Sequence, residues 1–162
     1  KIALSKTKTK EYAVPIYANA RKQKGLYGFT DKPRVYVPAI TVAGRGSGTG
    51  YTEIRMEPFF PIVRLIVLLP NSKVVSIEYL KKVIISLNLK SVGSAIPQLT
   101  IPMIKSYMIP IPTLNEQENI IKKLNEIEIK SLQLSSVYSK KILYYQALKS
   151  AILEQELRKE AA

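Results

Sequence analysis

Residues 113–160 read TLNEQENIIKKLNEIEIKSLQLSSVYSKKILYYQALKSAILEQELRKE, and neither proline nor glycine interrupts them. Thr113-Leu114-Asn115-Glu116 has the spacing of a capping box, in which the threonine oxygen and the glutamate carboxylate each satisfy a backbone amide left unpaired at a helix start. Nothing afterwards breaks the helix before Glu160, so Leu114 to Glu160 would extend about 70 Å if continuous. Steps of four and three from Ile120 fall on Ile120, Leu124, Ile127, Ser131, Leu134, Tyr138, Lys141, Tyr145, Leu148, Ile152 and Gln155. Eight of these eleven are apolar, against four when the frame moves by one residue, so the seam is a property of this register. An apolar stripe of that length needs a partner helix to cover it. The alternative is a hairpin folded back near Ser135-Ser136.

The chain before this helix differs in charge. The whole protein of 162 residues carries +13, and up to Pro110 seventeen Lys and Arg face five Asp and Glu, a balance of +12, whereas the remainder is close to neutral. The expected division is therefore a basic domain over 1–112 and a helical segment over 113–162. A folded domain with that excess meets nucleic acid first and a membrane surface next, a merely soluble basic face being the plain alternative. The most apolar run, Phe59 to Leu69, is interrupted by Pro61 and Arg64 and is far shorter than the roughly 20 residues that cross a bilayer. The numbering begins at Lys1 rather than methionine, which suggests a start inside a longer or processed product.

Within 1–112 the pattern is one of short elements. Residues 12–17 (EYAVPIY from Glu11) and 34–43 (RVYVPAITVA) are rich in β-branched and aromatic residues, with Pro15, Pro33 and Pro38 confining them to edges or strand starts. Between them KQKGLYGFTDKP reads as a basic, glycine-punctuated loop. YTEIRME alternates, with Thr52, Ile54 and Met56 on one face and Tyr51, Glu53, Arg55 and Glu57 on the other, as in a half-exposed strand. IVRLIVLL, residues 62–69, reads as a core strand. Ser76 is placed to cap a helix from about Ile77 to Leu89, ended by Gly93. Residues 101–109 read as a last extended piece. The fold class expected is α+β: an irregular mixed domain of short strands, then a long coiled-coil-type helix.

The chemistry available is narrow. Histidine and cysteine are both absent and Asp31 is the sole aspartate. That removes the usual zinc ligands, the Ser-His-Asp and Cys-His arrangements, and a carboxylate pair for a magnesium-dependent nuclease. The absence of cysteine also fits a reducing, cytoplasmic setting. The loop Gly44-Arg45-Gly46-Ser47-Gly48-Thr49-Gly50 has glycine at every second position, which matches neither a Walker loop nor a dinucleotide fingerprint. What remains is a bare backbone able to approach another backbone closely, with phosphate contact as the functional reading and a plain hairpin loop as the other. The expected DNA contacts on the first strand and its loop are Asn19, Arg21, Lys22, Lys24, Tyr27, Lys32 and Arg34. Those in and after the glycine loop are Arg45, Ser47, Thr49, Tyr51 and Arg55, and further on Ser94 and Gln98. Lysine and arginine supply phosphate affinity, while arginine toward guanine and glutamine or asparagine toward adenine supply discrimination; Gln98, Asn19, Arg45 and Arg55 are the candidates for that. The run from Arg21 to Arg34 lies close to the glycine loop if the two flanking strands pair.

Residues 93–124, GSAIPQLTIPMIKSYMIPIPTLNEQENIIKKL, resemble the junction between a target recognition domain and the long conserved helix of type I restriction-modification specificity subunits. A Gly-Ser-x-x-Pro-x-Leu segment, a Pro-x-Pro and a Leu-x-Glu-Gln helix start follow in the same order. The stretch YAVPIYANARKQKGLYGFTDKPRVYVPAITVAGRGSGTG is similar to the family's opening strand, turn and glycine-bearing strand, and PFFP at 58–61 falls in place. Members often show Tyr-Gly-Gly-Asn where this chain has Tyr17-Ala18-Asn19. Full-length members carry two recognition domains and two helices packed antiparallel, where this chain has one of each. The resemblance implies a non-catalytic reader of double-stranded DNA that directs a DNA methyltransferase subunit and an ATP-driven endonuclease subunit. S-adenosylmethionine, ATP and magnesium would belong to those partners, and no cofactor or metal to this chain. It also implies pairing through Ile120, Leu124, Ile127, Leu134, Tyr138, Tyr145, Leu148 and Ile152, with a second copy or a second recognition half, so that the helix acts as a ruler between half-sites. The competing expectations are a coiled-coil module that binds nucleic acid without reading sequence, and the recognition domain of another, fused restriction-methylation enzyme.

Overall fold

A computed structural model of the chain describes residues 4–89 and 98–160. It divides into two compact units, Lys1–Asn119 and Ile120–Ala162. The elements in chain order are β1 (Val14–Tyr17), β2 (Leu26–Thr30), β3 (Ala39–Ala43), β4 (Thr52–Arg55), β5 (Phe60–Pro61), β6 (Leu65–Leu68), α1 (Ile77–Ser86), α2 (Ile101–Lys105) and α3 (Leu114–Glu160). This is the expected α+β class, with short strands followed by one long helix.

The strands form two three-stranded sheets, ordered β2-β1-β5 and β4-β3-β6. In the first, β1 runs antiparallel to β2, Val14 facing Thr30 and Tyr17 facing Leu26, and parallel to β5. In the second, β3 is antiparallel to both neighbours, with Ile40 between Ile54 and Leu68. β3 is buried at every residue because it is central. Its Ile40 and Val42 join Ile66, Ile84, Leu89 and Leu99 in the core, against which Ile54, Leu80, Met103 and Ile104 pack. Thr41 points to the other face, where it meets Arg55.

Four local expectations are corrected. The basic stretch after β1 is not all loop: a tight turn at Lys22–Gly25 leads directly into β2, and Gly25, at φ +82°, has no room for a Cβ, which would lie 2.7 Å from the Ala18 carbonyl. The run IVRLIVLL is split, because Arg64 takes φ +61° and only Leu65–Leu68 forms a strand. α1 stops at Ser86, with Leu87 as its cap and Asn88 at φ +46°. Asparagine tolerates the left-handed region that ends many helices, so the stop comes before the expected Leu89; Gly93 lies outside the described residues. Residues 101–105 are helical rather than extended, since Thr100 accepts a hydrogen bond from the Met103 amide and Pro102 sits in the first turn, where its missing N–H costs nothing.

Two caps form as expected. Ser76 Oγ accepts from the Tyr79 amide at 3.2 Å. At the start of α3, Glu116 donates its amide to Thr113 Oγ1 at 3.4 Å and its carboxylate accepts the Thr113 amide at 2.8 Å. The next residue, Gln117, is fully buried. Its Oε1 accepts from the Ser76 amide, and its Nε2 donates to the carbonyls of Val74 and Pro112, all within 2.8–2.9 Å. The first turn of α3 is thus part of the first unit, which runs to Asn119. Gln117→Ala would strand three backbone groups, and an unpaired buried group costs about 1–3 kcal/mol where water cannot reach it. Urea unfolding of this variant should show a loss of about 2–3 kcal/mol in the first unit.

α3 continues through Ser135 and Ser136, so no hairpin forms there; Ser139 Oγ donates to the Ser135 carbonyl one turn back at 3.0 Å. Every named seam residue is exposed, Ile127 to 63%. Apolar residues off the seam, among them Ile129, Leu132, Leu143, Leu153 and Leu157, are exposed as well. Among the described residues no helix is long and apolar enough to cross a membrane.

Candidate nucleic-acid interface

The two strands flanking the basic stretch do not pair; β1 and β3 lie in different sheets. The turn after β1 and the glycine loop are nevertheless joined, through a side chain. Asn19 accepts from the Arg45 amide at 3.2 Å through Oδ1 and donates to the Arg45 carbonyl through Nδ2. Arg45 also bridges Gln98 through the backbone. Next to it, the Gly44 amide donates to the Arg64 carbonyl at 3.0 Å and its carbonyl accepts from the Leu99 amide at 2.8 Å. A Cβ at Gly44 would lie 2.7 Å from the Arg64 oxygen, so only glycine permits this approach. Four segments therefore meet at Gly44-Arg45: the turn after β1, the glycine loop, the β5–β6 turn and the segment entering α2.

The wall so formed is cationic. Asn19, Tyr27, Arg45 and Arg64 line an open cleft of about 550 Å³. Beside it the Arg21 guanidinium lies 5.8 Å from the Tyr51 ring centre, and the Lys6 ammonium lies 4.4 Å from that of Tyr27. The glycine loop is a turn held by its own bonds: Gly46 takes φ +84°, and its carbonyl accepts from the Thr49 amide and, at 2.7 Å, from Thr49 Oγ1. Ser47 is exposed at its tip, and Lys22 and Lys24 are exposed on the tight turn before β2. Cations and aromatic faces around a groove are the combination that holds a phosphate backbone and stacks on bases.

Not every expected contact belongs to this wall. Lys32 and Arg34 are exposed beyond the far end of β2, about 13 Å along the strand from the end that carries the turn. Ser94 lies outside the described residues. The amide of Asn19 is engaged by Arg45, so Asn19 positions the arginine. Arg55 departs most from expectation. The alternation of β4 holds, but the face opposite the core is closed by the first sheet, and Arg55 is only 7% exposed. Its guanidinium stacks 3.5 Å from the Tyr17 ring centre, and it donates to Thr41 Oγ1 at 3.1 Å and to the Lys24 carbonyl. Burial lowers its pKa from the ordinary arginine value, opposed by Tyr17 and Glu53. Arg55 ties the two sheets together. Arg64, which in the sequence only interrupts an apolar run, lines the same cleft as Asn19 and Arg45.

Glu53, next to Arg55 on β4, is held by Tyr51 Oη at 2.6 Å and Lys81 Nζ at 3.2 Å. Burial, the largest influence, pushes its carboxyl up, but the two hydrogen bonds and the Lys81 charge outweigh it and leave it below the usual 4.5. The same bond raises the Tyr51 phenol. A carboxylate with a lowered folded pKa contributes stability that is present above its unfolded value and is lost as pH falls through the folded one. Urea titrations of Glu53→Gln should therefore show a flatter loss of stability below about pH 4.5 than those of the unmodified chain.

The sequence profile described as Type I restriction modification DNA specificity domain matches residues 1–144. The chain belongs to this family. It is 30% identical over 122 residues to a Mycoplasma pneumoniae protein named as a type I specificity subunit, covering 75% of this chain and 33% of that protein. A second protein of the same organism, named in the same way, is 32% identical over 123 residues, covering 76% and 36%. The chain thus spans about a third of the length of these curated relatives. The crystal structure of the type I restriction-modification S subunit from M. genitalium has the same fold, with a TM-score of 0.56 at 20% identity over 83% of this chain and 38% of that one. Within this specificity domain the glycine loop and the Asn19–Arg45 link all lie inside the matched residues.

Proposed function

We propose that this specificity domain is a reader of one half-site in duplex DNA, within a type I restriction-modification specificity subunit. The convergence of four segments on Gly44-Arg45 is the observation that carries it, because it presents Arg45, Arg21, Lys22 and Tyr27 on one basic wall. Lysine and arginine there neutralise phosphates and set the register, while guanidinium groups in the cleft and the Gln98 amide in the smaller cleft beside it discriminate base edges. The chain performs no catalysis in this reading; it directs a DNA methyltransferase subunit and an endonuclease subunit, which hold S-adenosylmethionine, ATP and magnesium. The setting is the cytoplasm, where the DNA is.

The seam of α3 pairs with a second helix, that of another copy or of a second recognition half, and fixes the distance between half-sites. The recurrence of apolar residues from Ile120 to Ile152 at alternate steps of four and three supports this pairing. Binding to duplex DNA is the direct test. At low ionic strength the chain should retain duplex DNA, with log affinity falling linearly with log salt at a slope of roughly 0.9 per phosphate neutralised. A chain that ignores duplex DNA at low ionic strength contradicts the reading.

A further inference from the structure

Arg64 stands apart from the other arginines of the wall. It takes φ +61°, a conformation that L residues with a side chain adopt at a cost and glycine does not. The turn is nonetheless clamped, since the Arg64 carbonyl accepts from the Gly44 amide at 3.0 Å in space that only a glycine leaves open. The preceding residue, Val63, is 73% exposed, so the turn stands out from the surface. Arg64 also lines two clefts at once: the one of about 550 Å³ with Asn19 and Arg45, and a smaller one of about 190 Å³ with Gln98 and Thr100. Among the described residues no hydrogen-bonding or ion-pair partner takes its guanidinium, in contrast to Arg55, whose guanidinium is bonded inside the domain. Strained backbone that the surroundings hold in place recurs at sites that present a functional group. Here the group presented is a planar fork of donors, which matches the paired O6 and N7 acceptors of guanine in the major groove.

Resting on the reading of this domain as a DNA half-site reader, we propose that Arg64 is a specificity-determining residue. Its guanidinium bonds O6 and N7 of one guanine in the half-site. Arg45 beside it is fixed at the backbone by Asn19, and Gln98 on the other side offers an amide to a neighbouring pair.

The test uses the duplex that the unmodified chain selects, and a set of duplexes each changed at one base pair. Two variants separate fork from charge. Arg64→Gly accepts φ +61° without strain, so the turn is kept, and Arg64→Lys keeps the charge but loses the fork. The unmodified chain should lose about 5- to 150-fold in affinity when one particular G·C pair is replaced, the range of a bidentate contact. Both variants should lose that discrimination, to within about twofold, and keep discrimination at every other position. The proposal is overturned if the variants discriminate at every position as the unmodified chain does. It is overturned equally if they bind all duplexes more weakly by one common factor with a salt slope reduced by about one, which marks a phosphate contact. An unmodified chain without any sequence preference overturns the half-site reading itself, and this proposal with it.

Discussion

Replacing Arg55 with alanine should lower the stability of the first unit by about 2–4 kcal/mol, since hydrogen bonds to a charged group contribute about 1.5–3 kcal/mol and the acceptors left behind are unpaired. The loss has three sources. The Lys24 carbonyl and Thr41 Oγ1 lose their donors, and the Tyr17 ring loses the stacked cation between the sheets. Arg55→Lys should recover little, because an ammonium cannot stack on the ring and serve two acceptors in different directions. Urea unfolding of the chain and both variants measures this. Were Arg55 a base-reading residue instead, alanine would leave the unfolding midpoint unchanged and remove DNA discrimination. The structure predicts the opposite order of effects: stability falls first, and binding falls only as far as the wall it supports is lost.

If α3 pairs with a second copy, as proposed, Ile127→Lys together with Leu134→Lys should convert that dimer to a monomer, weakening association by more than about a thousandfold. The two residues lie two helical turns apart on one register and are exposed to 63% and 56% within a single chain. In a paired helix each would be a knob in the partner's seam, and the substitution would place four ammonium groups in a single apolar interface. Light scattering over a concentration series reads the mass directly. An unchanged mass in the variant, or a monomeric unmodified chain, shows that the seam does not mediate self-association.

How much of this was legible in the sequence depends on whether a residue's role is local. The capping box at Thr113, the unbroken helix behind it and the Ser76 cap were legible, because spacing decides them within a few residues; AITVA was legible as a strand through its β-branching, but not as the buried centre of a sheet, since the neighbouring prolines point to an edge or a strand start. Residues whose conformation is imposed from far along the chain were not. Arg64 and Asn88 take positive φ where glycine is the usual signal. Arg55 follows a polar face that a second sheet covers, and no alternation pattern announces a covering sheet. Gln117 looked like part of a helix-start signature, but its three bonds reach back to residues 74 and 76 as well as 112. The wall itself was half legible: the basic and aromatic residue types pointed to DNA, whereas their assembly depends on Asn19 holding Arg45 rather than on paired strands.

Selection of bound duplexes from a random pool tests the central claim, that the cationic wall reads sequence. The account predicts enrichment of one short half-site, repeated at a single fixed separation when the helix is paired, and persisting as salt is raised. Uniform retention of all duplexes, vanishing together as ionic strength increases, would contradict it.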